Sequence, residues 1–189
     1  MTETPVSPAT RVVVLVGSLR ADSYNRRIAE RLRAEAPDGV TLELATGLAD
    51  LPFYNEEIDG DDVPAAVRAL RAQVAEADRV LAVTPEYNGT MPAVLNNAID
   101  WLSRPYGVGA LKGKPFAVVG ATPTRFGGKW SHEDARRSAT VAGADVVPDL
   151  VLSHSTLDAD VFEDPELFAK FLAALVALVE HRPAAEAAA

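Results

Sequence analysis

No cysteine occurs among the 189 residues of the sequence. A disulfide framework, a thiolate metal site, a cysteine nucleophile and a dithiol redox couple are therefore excluded. Any redox chemistry needs a bound cofactor, because no thiol pair is present to carry electrons. Only three histidines occur, and their spacing matches no zinc motif, so the sequence predicts structural histidines and no metal site at His132, His154 and His181.

Positive charge is scarce, and long apolar runs are missing. Lys and Arg number 18 against 27 Asp and Glu, a formal net charge of −9. Nucleic acids and anionic membranes are bound by basic surfaces, so this charge disfavours both as partners. Nowhere do about 18 apolar residues follow one another, as a membrane-spanning helix requires. Because the polar N-terminal segment also lacks an apolar core, the sequence predicts a cytoplasmic protein.

The composition favours one folded domain. Hydrophobic residues make up 48% of the chain and charged residues 24%, which is ordinary for a globular protein. We expect a disordered extension at residues 1–10, a domain at residues 11–182 and a frayed tail at residues 183–189.

Short apolar runs alternate with helical patterns along this domain. Strands are predicted at five places, residues 11–16, 40–45, 79–84, 115–121 and 145–152. Helices are predicted at residues 23–35, 64–77, 92–103, 132–142 and 165–180. Such alternation predicts an α/β domain whose parallel sheet is covered by helices on both faces. Five strands favour the order 2-1-3-4-5 over the six-stranded dinucleotide-binding arrangement.

Either arrangement places a ligand where the first, third and fourth strands end. The first loop reads GSLRADSYN, and its strand-to-helix turn exposes backbone N–H groups at the positive end of a helix. Arg20 adds a charge-assisted contact, and Ser18, Ser23 and Asn25 add polar donors. Because the loop lacks both GxGxxG and GxxxxGK[ST], a terminal monophosphate fits it better than a pyrophosphate or a triphosphate.

A second interpretation of the first loop needs no ligand. Cations at a helix start are mildly destabilising, unless a bound dianion makes their presence favourable. Without a ligand, Ser23 would cap the helix while Arg26 and Arg27 point into water. We favour this interpretation for Arg26 and Arg27, and anion binding for Arg20 with Ser18.

The second loop reads TPEYNGTMP, and prolines stiffen it at both ends. Asn88 and Gly89 predict a tight turn with positive φ. With Tyr87, this loop can hold a flat heteroaromatic ring by its edge and its face. An ordered turn without a ligand is the alternative.

The third loop reads ATPTRFGGKW. Gly127 and Gly128 let the backbone approach a ligand closely, and Phe126 or Trp130 can shield that ligand. A flexible surface turn whose aromatic side chains meet another subunit is the alternative.

Taken together, these residues resemble the NAD(P)H-dependent FMN reductase family, which includes quinone, azo-dye and chromate reductases. The similarity covers residues 11–152 and depends on GSLRxxSxN followed by PEYNxxxPxxLxNAIDW. It implies a flavodoxin-like three-layer sandwich in which the first motif binds the FMN phosphate and the second borders the flavin ring. The cofactor-binding residues that it implies are Ser18, Arg20, Ser23, Tyr24, Asn25, Pro85, Glu86, Tyr87, Asn88, Gly89, Thr122, Gly127 and Gly128.

The resemblance also implies an activity and an assembly. The activity is transfer of hydride from NAD(P)H through FMN to a quinone, free flavin or similar small acceptor, without a catalytic side chain. The assembly is a homodimer or a homotetramer. Two positions depart from the family pattern, since Thr90 stands where many members have Ser and Asn96 replaces a Lys. The missing lysine removes an expected ion pair near that helix.

Two other functions remain open. A flavodoxin-type electron carrier binds FMN without turnover of its own, and such carriers typically lack the arginine found here at Arg20. A regulatory module that binds no flavin would leave the three loops unexplained. A phosphatase of similar topology would need a cysteine in the first loop, and the chain has none.

Replacing Arg20 with alanine (Arg20→Ala) tests the assignment of the phosphate loop. We expect the affinity for FMN to fall by about 2 kcal/mol, because a charge-assisted contact to the phosphate is lost. Titration of flavin fluorescence measures the affinity, and an unchanged value would contradict the assignment.

Overall fold

A computed structural model describes residues 9–183. Its five strands form one parallel sheet in the order β2-β1-β3-β4-β5, where the strands are β1 (Thr10–Val16), β2 (Val40–Leu44), β3 (Arg79–Val83), β4 (Pro115–Thr122) and β5 (Asp145–Ser155). The α-helices of this part of the chain are α1 (Tyr24–Ala34), α2 (Ala65–Glu76), α3 (Ala93–Leu102), α4 (Lys129–Val141) and α5 (Pro165–Glu180). The predicted α/β class and strand order are confirmed.

Helices cover both faces of the sheet because side chains alternate along each strand. Val12 and Val14 of β1 pack with residues of α1 and α5. Val13 and Leu15 of the same strand pack with residues of α2, α3 and α4. All eight residues of β4 are buried, as expected for a strand covered on both sides. The result is the expected three-layer sandwich.

Several element boundaries differ from the prediction, and three of them have a clear structural reason. Strand β1 begins at Thr10, inside the expected extension, because Thr10 pairs with Val40 in the sheet. Helix α4 begins at Lys129 instead of residue 132, since the left-handed backbone of Gly128 lets the third loop enter the helix directly. Strand β5 continues to Ser155 beyond an irregular register. The rest of the expected extension, residues 1–8, and the tail from residue 184 lie outside the described residues.

The connection between β2 and α2 is held in place by α3. It contains two short 3-10 turns, Leu48–Asp50 and Glu56–Ile58. The Asn97 side-chain amide donates to the carbonyl oxygen of Pro52 (2.9 Å), as does the indole N–H of Trp101 (2.8 Å). Two residues of the NAIDW motif therefore stabilise the fold and lie away from the three loops.

Residues 9–183 contain neither a membrane-spanning helix nor a cluster of metal ligands. No helix in this stretch has both the length and the apolar character to span a membrane. No three His, Asp or Glu side chains of these residues converge in a way that could hold a metal ion.

The buried indole of Trp101 predicts a large loss of stability on truncation. Trp101 is 0% exposed and packs edge-on against Tyr54, with 4.9 Å between ring centroids. We expect Trp101→Ala to lower the free energy of unfolding by about 3–5 kcal/mol, because it leaves a cavity and removes one of the two hydrogen bonds to the carbonyl of Pro52. The matched control is Trp130→Ala, which removes an indole that is 42% exposed.

Urea unfolding of both variants measures the difference between the two sites. The control should change the free energy of unfolding by about 0.5 kcal/mol, as is usual at the surface. Equal losses in the two variants would mean that Trp101 does not anchor the core.

Candidate active site

Three loops meet where β1, β3 and β4 end. The N–H of Gly17 donates to the carbonyl of Val83 (3.0 Å), and that of Thr84 donates to the carbonyl of Val119 (3.0 Å), so the loops leave from adjacent strand ends. A pocket beside them is lined by residues 17–20 and 92–94 and by Tyr87. The first and second loops thus share one cleft, as the strand order predicts.

Two glycines allow the strand ends to approach closely. A Cβ atom on Gly17 would lie 2.1 Å from the hydroxyl oxygen of Thr84. One on Gly120 would lie 2.1 Å from the carbonyl oxygen of Thr84. Both distances are far below van der Waals contact, so a side chain at either position would displace the end of β3 and the loop that follows it.

The first loop presents donors that the protein itself does not use. Residues 18–22 donate no backbone N–H to an acceptor within residues 9–183. The Ser18 side chain is nearly buried, and Arg20 is exposed without an ion pair or side-chain hydrogen bond in that part of the chain. Unpaired N–H groups, a hydroxyl and a guanidinium in one turn form a donor set that suits a phosphate.

Two further residues of this loop hold its shape. The hydroxyl oxygen of Ser23 accepts from the N–H of Arg26 (3.2 Å) and caps α1. The side-chain amide of Asn25, which is 2% exposed, donates to the carbonyl of Ala121 (2.8 Å) and accepts from its N–H (2.9 Å). Asn25 therefore joins the first loop to the end of β4.

Tyr24 also faces the protein. Its hydroxyl donates to the carboxylate of Asp160 (2.8 Å) and accepts from the N–H of Val161 (2.7 Å). Burial, together with the hydrogen bond to Asp160, raises the pKa of Tyr24 to about 12. The guanidinium carbon of Arg27 lies 3.9 Å from the centroid of the Phe162 ring. The start of α1 is thereby tied to the loop before α5, and Arg27 has a structural partner.

The second loop forms the predicted tight turn. Asn88 and Gly89 have φ values of 53° and 74°. On either side of them, Tyr87 and Thr90 exchange two backbone hydrogen bonds, of 3.0 and 3.1 Å. The Thr90 hydroxyl donates to the carboxylate of Asp134 in α4 (2.6 Å). The turn is rigid, and Tyr87 at its base is 46% exposed beside the cleft.

Glu86 joins the second loop to the third. Its backbone N–H donates to the hydroxyl of Thr122 (2.9 Å), which is buried at the end of β4. Its carboxylate accepts from the N–H groups of Trp130 (3.0 Å) and Ser131 (3.2 Å) in the first turn of α4. A carboxylate is favourable at this positive end of a helix. The Ser131 hydroxyl adds a bond to the carbonyl of the buried Pro85 (2.7 Å).

The two glycines of the third loop lie against the protein. Both have positive φ, 63° for Gly127 and 94° for Gly128. A Cβ on Gly127 would lie 2.7 Å from the backbone of His154, and one on Gly128 would lie 3.2 Å from the ring of His132. Their immediate role is therefore to let this loop pack closely on β5 and α4.

His132 supports the site from within the core. It is 2% exposed, and its Nε2 lies 3.0 Å from the carbonyl oxygen of Thr84. A carbonyl only accepts, so Nε2 carries the proton and Nδ1 accepts from the hydroxyl of Ser153 (2.6 Å). Burial lowers the pKa of His132 to about 4. The neutral ring joins α4 to the ends of β3 and β5.

Sequence reasoning missed several residues that shape the cleft. Leu19, Pro92, Ala93 and Val94 line it without a chemically distinctive side chain. The only signal for them was their position. Leu19 lies in the first loop, and Pro92, Ala93 and Val94 lie where the second loop leads into α3. The supporting role of Glu86 had no signal, because its partner is 44 residues away.

Comparisons with known proteins agree with this geometry. Residues 10–158 match the family described as NADPH-dependent FMN reductase. A quinone reductase of Pseudomonas putida is 44% identical over 133 residues, 70% of this chain and 71% of the relative. A 2-hydroxy-1,4-benzoquinone reductase of a Burkholderia species is 38% identical over 158 residues, 80% of this chain and 84% of the relative.

A solved structure gives the same result. The flavoenzyme NAD(P)H:(acceptor) oxidoreductase FerB from Paracoccus denitrificans superposes with a TM-score of 0.77 at 30% sequence identity, over 92% of this chain and 99% of its own. The chain belongs to the NADPH-dependent FMN reductase family. It is an NAD(P)H-dependent oxidoreductase that uses FMN, as the resemblance of its motifs implied.

The first loop fits the phosphate of that cofactor. FMN ends in a monophosphate, and the unused N–H groups of residues 18–22 beside Arg20 are donors for a single dianion. The adjoining pocket has Tyr87 and Pro92 on its wall, which are suitable contacts for a flat ring.

Neutral His132 predicts a loss of stability in acid. The unfolded chain takes up a proton on this ring below about pH 6.5, but the folded protein does so only below about pH 4. The free energy of unfolding should therefore fall as the pH falls between these values, by up to about 3 kcal/mol. Urea unfolding at a series of pH values measures this loss.

An NMR titration of the His132 ring in the folded protein provides the direct check. We expect its midpoint near pH 4, and a midpoint near the ordinary value of 6.5 would contradict the buried, neutral assignment. A His132→Gln variant has no group that titrates there, so this part of the pH dependence should disappear from its unfolding curves.

Proposed function

We propose that this protein is an NAD(P)H:quinone reductase whose first loop binds the FMN phosphate and whose second loop contacts the flavin ring. One observation carries the proposal. The backbone donors of residues 18–22 and the Arg20 guanidinium have no partner within residues 9–183, and they adjoin a pocket that Tyr87 also lines. The quinone acceptor is supported by the relatives in Pseudomonas putida and Burkholderia, which are named for quinone reduction.

The side chains divide between binding and support. Ser18 and Arg20 hold the phosphate, and Tyr87 packs on the ring from the second loop. When bound, FMN supplies the hydride transfer that no side chain here needs to perform. Glu86 and Asn25 act through other residues, because their polar atoms bind the protein and keep the three loops at fixed distances.

Hydrogen bonds within the second loop keep the cleft preorganised. The turn at Asn88 and Gly89 is closed by two backbone hydrogen bonds and attached to α4 through Thr90. A cofactor that enters does not have to order this loop, so little conformational entropy opposes its binding. The cleft is open on one side, so a coenzyme and an acceptor would have access to a cofactor held there.

We extend the proposal to the assembly and the compartment. Tyr106, Val108 and Val141 are 88%, 71% and 81% exposed, and a surface of this kind supports contact with a second copy in a homodimer or homotetramer. We place the protein in the cytoplasm, where reduced nicotinamide coenzymes are available. Light scattering of the purified protein measures the assembly.

The visible spectrum of the purified protein tests the function. FMN is added, the excess is removed, and NADPH or NADH is then supplied without oxygen, followed by a benzoquinone. We expect the flavin absorbance to remain with the protein, to bleach with the coenzyme and to return with the quinone, because reduced flavin passes its electrons to that acceptor.

Two outcomes would contradict the proposal in different ways. Retained flavin that neither coenzyme bleaches would indicate an electron carrier. Absence of retained flavin would mean that the loop around Arg20 does not bind FMN.

Arg33→Gln serves as the control for Arg20→Ala, since it removes an exposed arginine from the far end of α1.

A further inference from the structure

We propose that Arg125, Phe126 and Trp130 bind the adenosine 2′-phosphate half of NADPH and make the protein prefer NADPH to NADH. The inference rests on the proposed function, in which a nicotinamide coenzyme reduces the bound flavin. It adds a binding site for the other end of that coenzyme and names the residue that distinguishes the two forms.

Two half-exposed aromatic rings form the first part of this site. Phe126 is 40% exposed and Trp130 is 42% exposed. Their ring centroids lie 4.5 Å apart with an angle of 46° between the planes, so they pack against each other at the surface. Such a pair offers apolar surface on which a purine base can stack.

The side chain of Arg125 lies against one of these two aromatic rings. The guanidinium carbon of Arg125 is 4.5 Å from the centroid of the Phe126 ring. Arg125 is exposed, and its side chain makes no hydrogen bond or ion pair within residues 9–183. A guanidinium binds a phosphate through two parallel N–H bonds, which makes arginine suitable for a phosphomonoester.

Neighbouring charges leave Arg125 available. Lys129 is the first residue of α4, and its ammonium is 3.8 Å from the carboxylate of Glu133. Glu86 binds the N–H groups at the start of that helix, and Asp134 bonds to Thr90 and to Arg137. The nearby carboxylates therefore have partners of their own. In a chain with a net charge of −9, an arginine that has no partner among residues 9–183 and lies beside exposed aromatic rings is suited to an anionic aromatic ligand.

The position of Trp130 connects this surface to the flavin site. A Cβ on Gly89 would lie 4.0 Å from Cε3 of the Trp130 ring, so the indole borders the turn of the second loop. The Trp130 N–H is also held by Glu86 at 3.0 Å. The surface therefore adjoins the cleft but uses none of the donors of residues 18–22. One dinucleotide can place its nicotinamide at the flavin and its adenosine against Trp130.

The preference follows from the chemistry of the two coenzymes. NADH and NADPH share every group except the 2′-phosphate of the adenosine. The aromatic pair contacts a group common to both coenzymes, so its loss should weaken both equally. Arg125 contacts the group that differs, so its loss should weaken NADPH alone.

Calorimetric titration of the FMN-saturated protein tests this without turnover. The probes are adenosine 2′,5′-bisphosphate and adenosine 5′-monophosphate, and bound FMN keeps both out of the first loop. We expect the bisphosphate to bind about tenfold more tightly, a difference of about 1.4 kcal/mol. Arg125→Gln should abolish that difference, and Trp130→Ala should weaken both probes. Arg33→Gln, which removes the same charge elsewhere, should change neither affinity.

Steady-state kinetics provides the second readout. Arg125→Gln should raise the KM for NADPH about tenfold and leave kcat and the KM for NADH unchanged. Equal affinity of the wild-type protein for the two probes, or a preference that survives in Arg125→Gln, would overturn the inference. Failure of the proposed function would look different. Loss of FMN binding would show as absent flavin before any probe is added, and flavin that neither coenzyme bleaches would still allow the probe titrations to report on Arg125.

Discussion

The site depends on how closely three strands approach one another around Thr84. This residue is 0% exposed, and the chain passes it on either side at Gly17 and Gly120. Its carbonyl oxygen also accepts a hydrogen bond from Nε2 of His132. Since a Cβ at either glycine would overlap Thr84, only this pairing of small residues lets the loops after β1, β3 and β4 start within reach of one another. The cleft therefore depends on the close approach of these three strand ends at Thr84.

The polar groups around these strand ends fall into two sets, those that bond to the protein and those that do not. Tyr24, Asn25 and Glu86 turn towards the protein and satisfy backbone groups of other loops. The N–H groups of residues 18–22 and the Arg20 side chain have no partner in the described part of the chain. Our proposal places the cofactor phosphate at these donors, in a turn whose flanking residues Gly17 and Ser23 form backbone hydrogen bonds. Such preorganisation lowers the entropic cost of binding.

The family motifs contain residues that border the cleft and residues that support the fold. In PEYN, Glu86 supports α4 while Tyr87 borders the cleft. In NAIDW, Asn97 and Trp101 bind the connection before α2 and lie in the fold, away from the ligand. A motif recognised from sequence thus marks a region whose geometry matters for function. It does not separate the residues that touch the ligand from those that hold them.

The strands and the three loops at the site could be predicted from the sequence, because apolar runs, helical periodicity and turn residues are local signals. The number of strands then favoured the observed order, and two motifs indicated the family. The contacts of Glu86 with the start of α4, of Asn25 with Ala121 and of Phe126 with Trp130 beside Arg125 became known from the tertiary structure alone. Most of those partners come from distant parts of the chain, and all are brought together by packing of helices on the sheet, which no local pattern encodes.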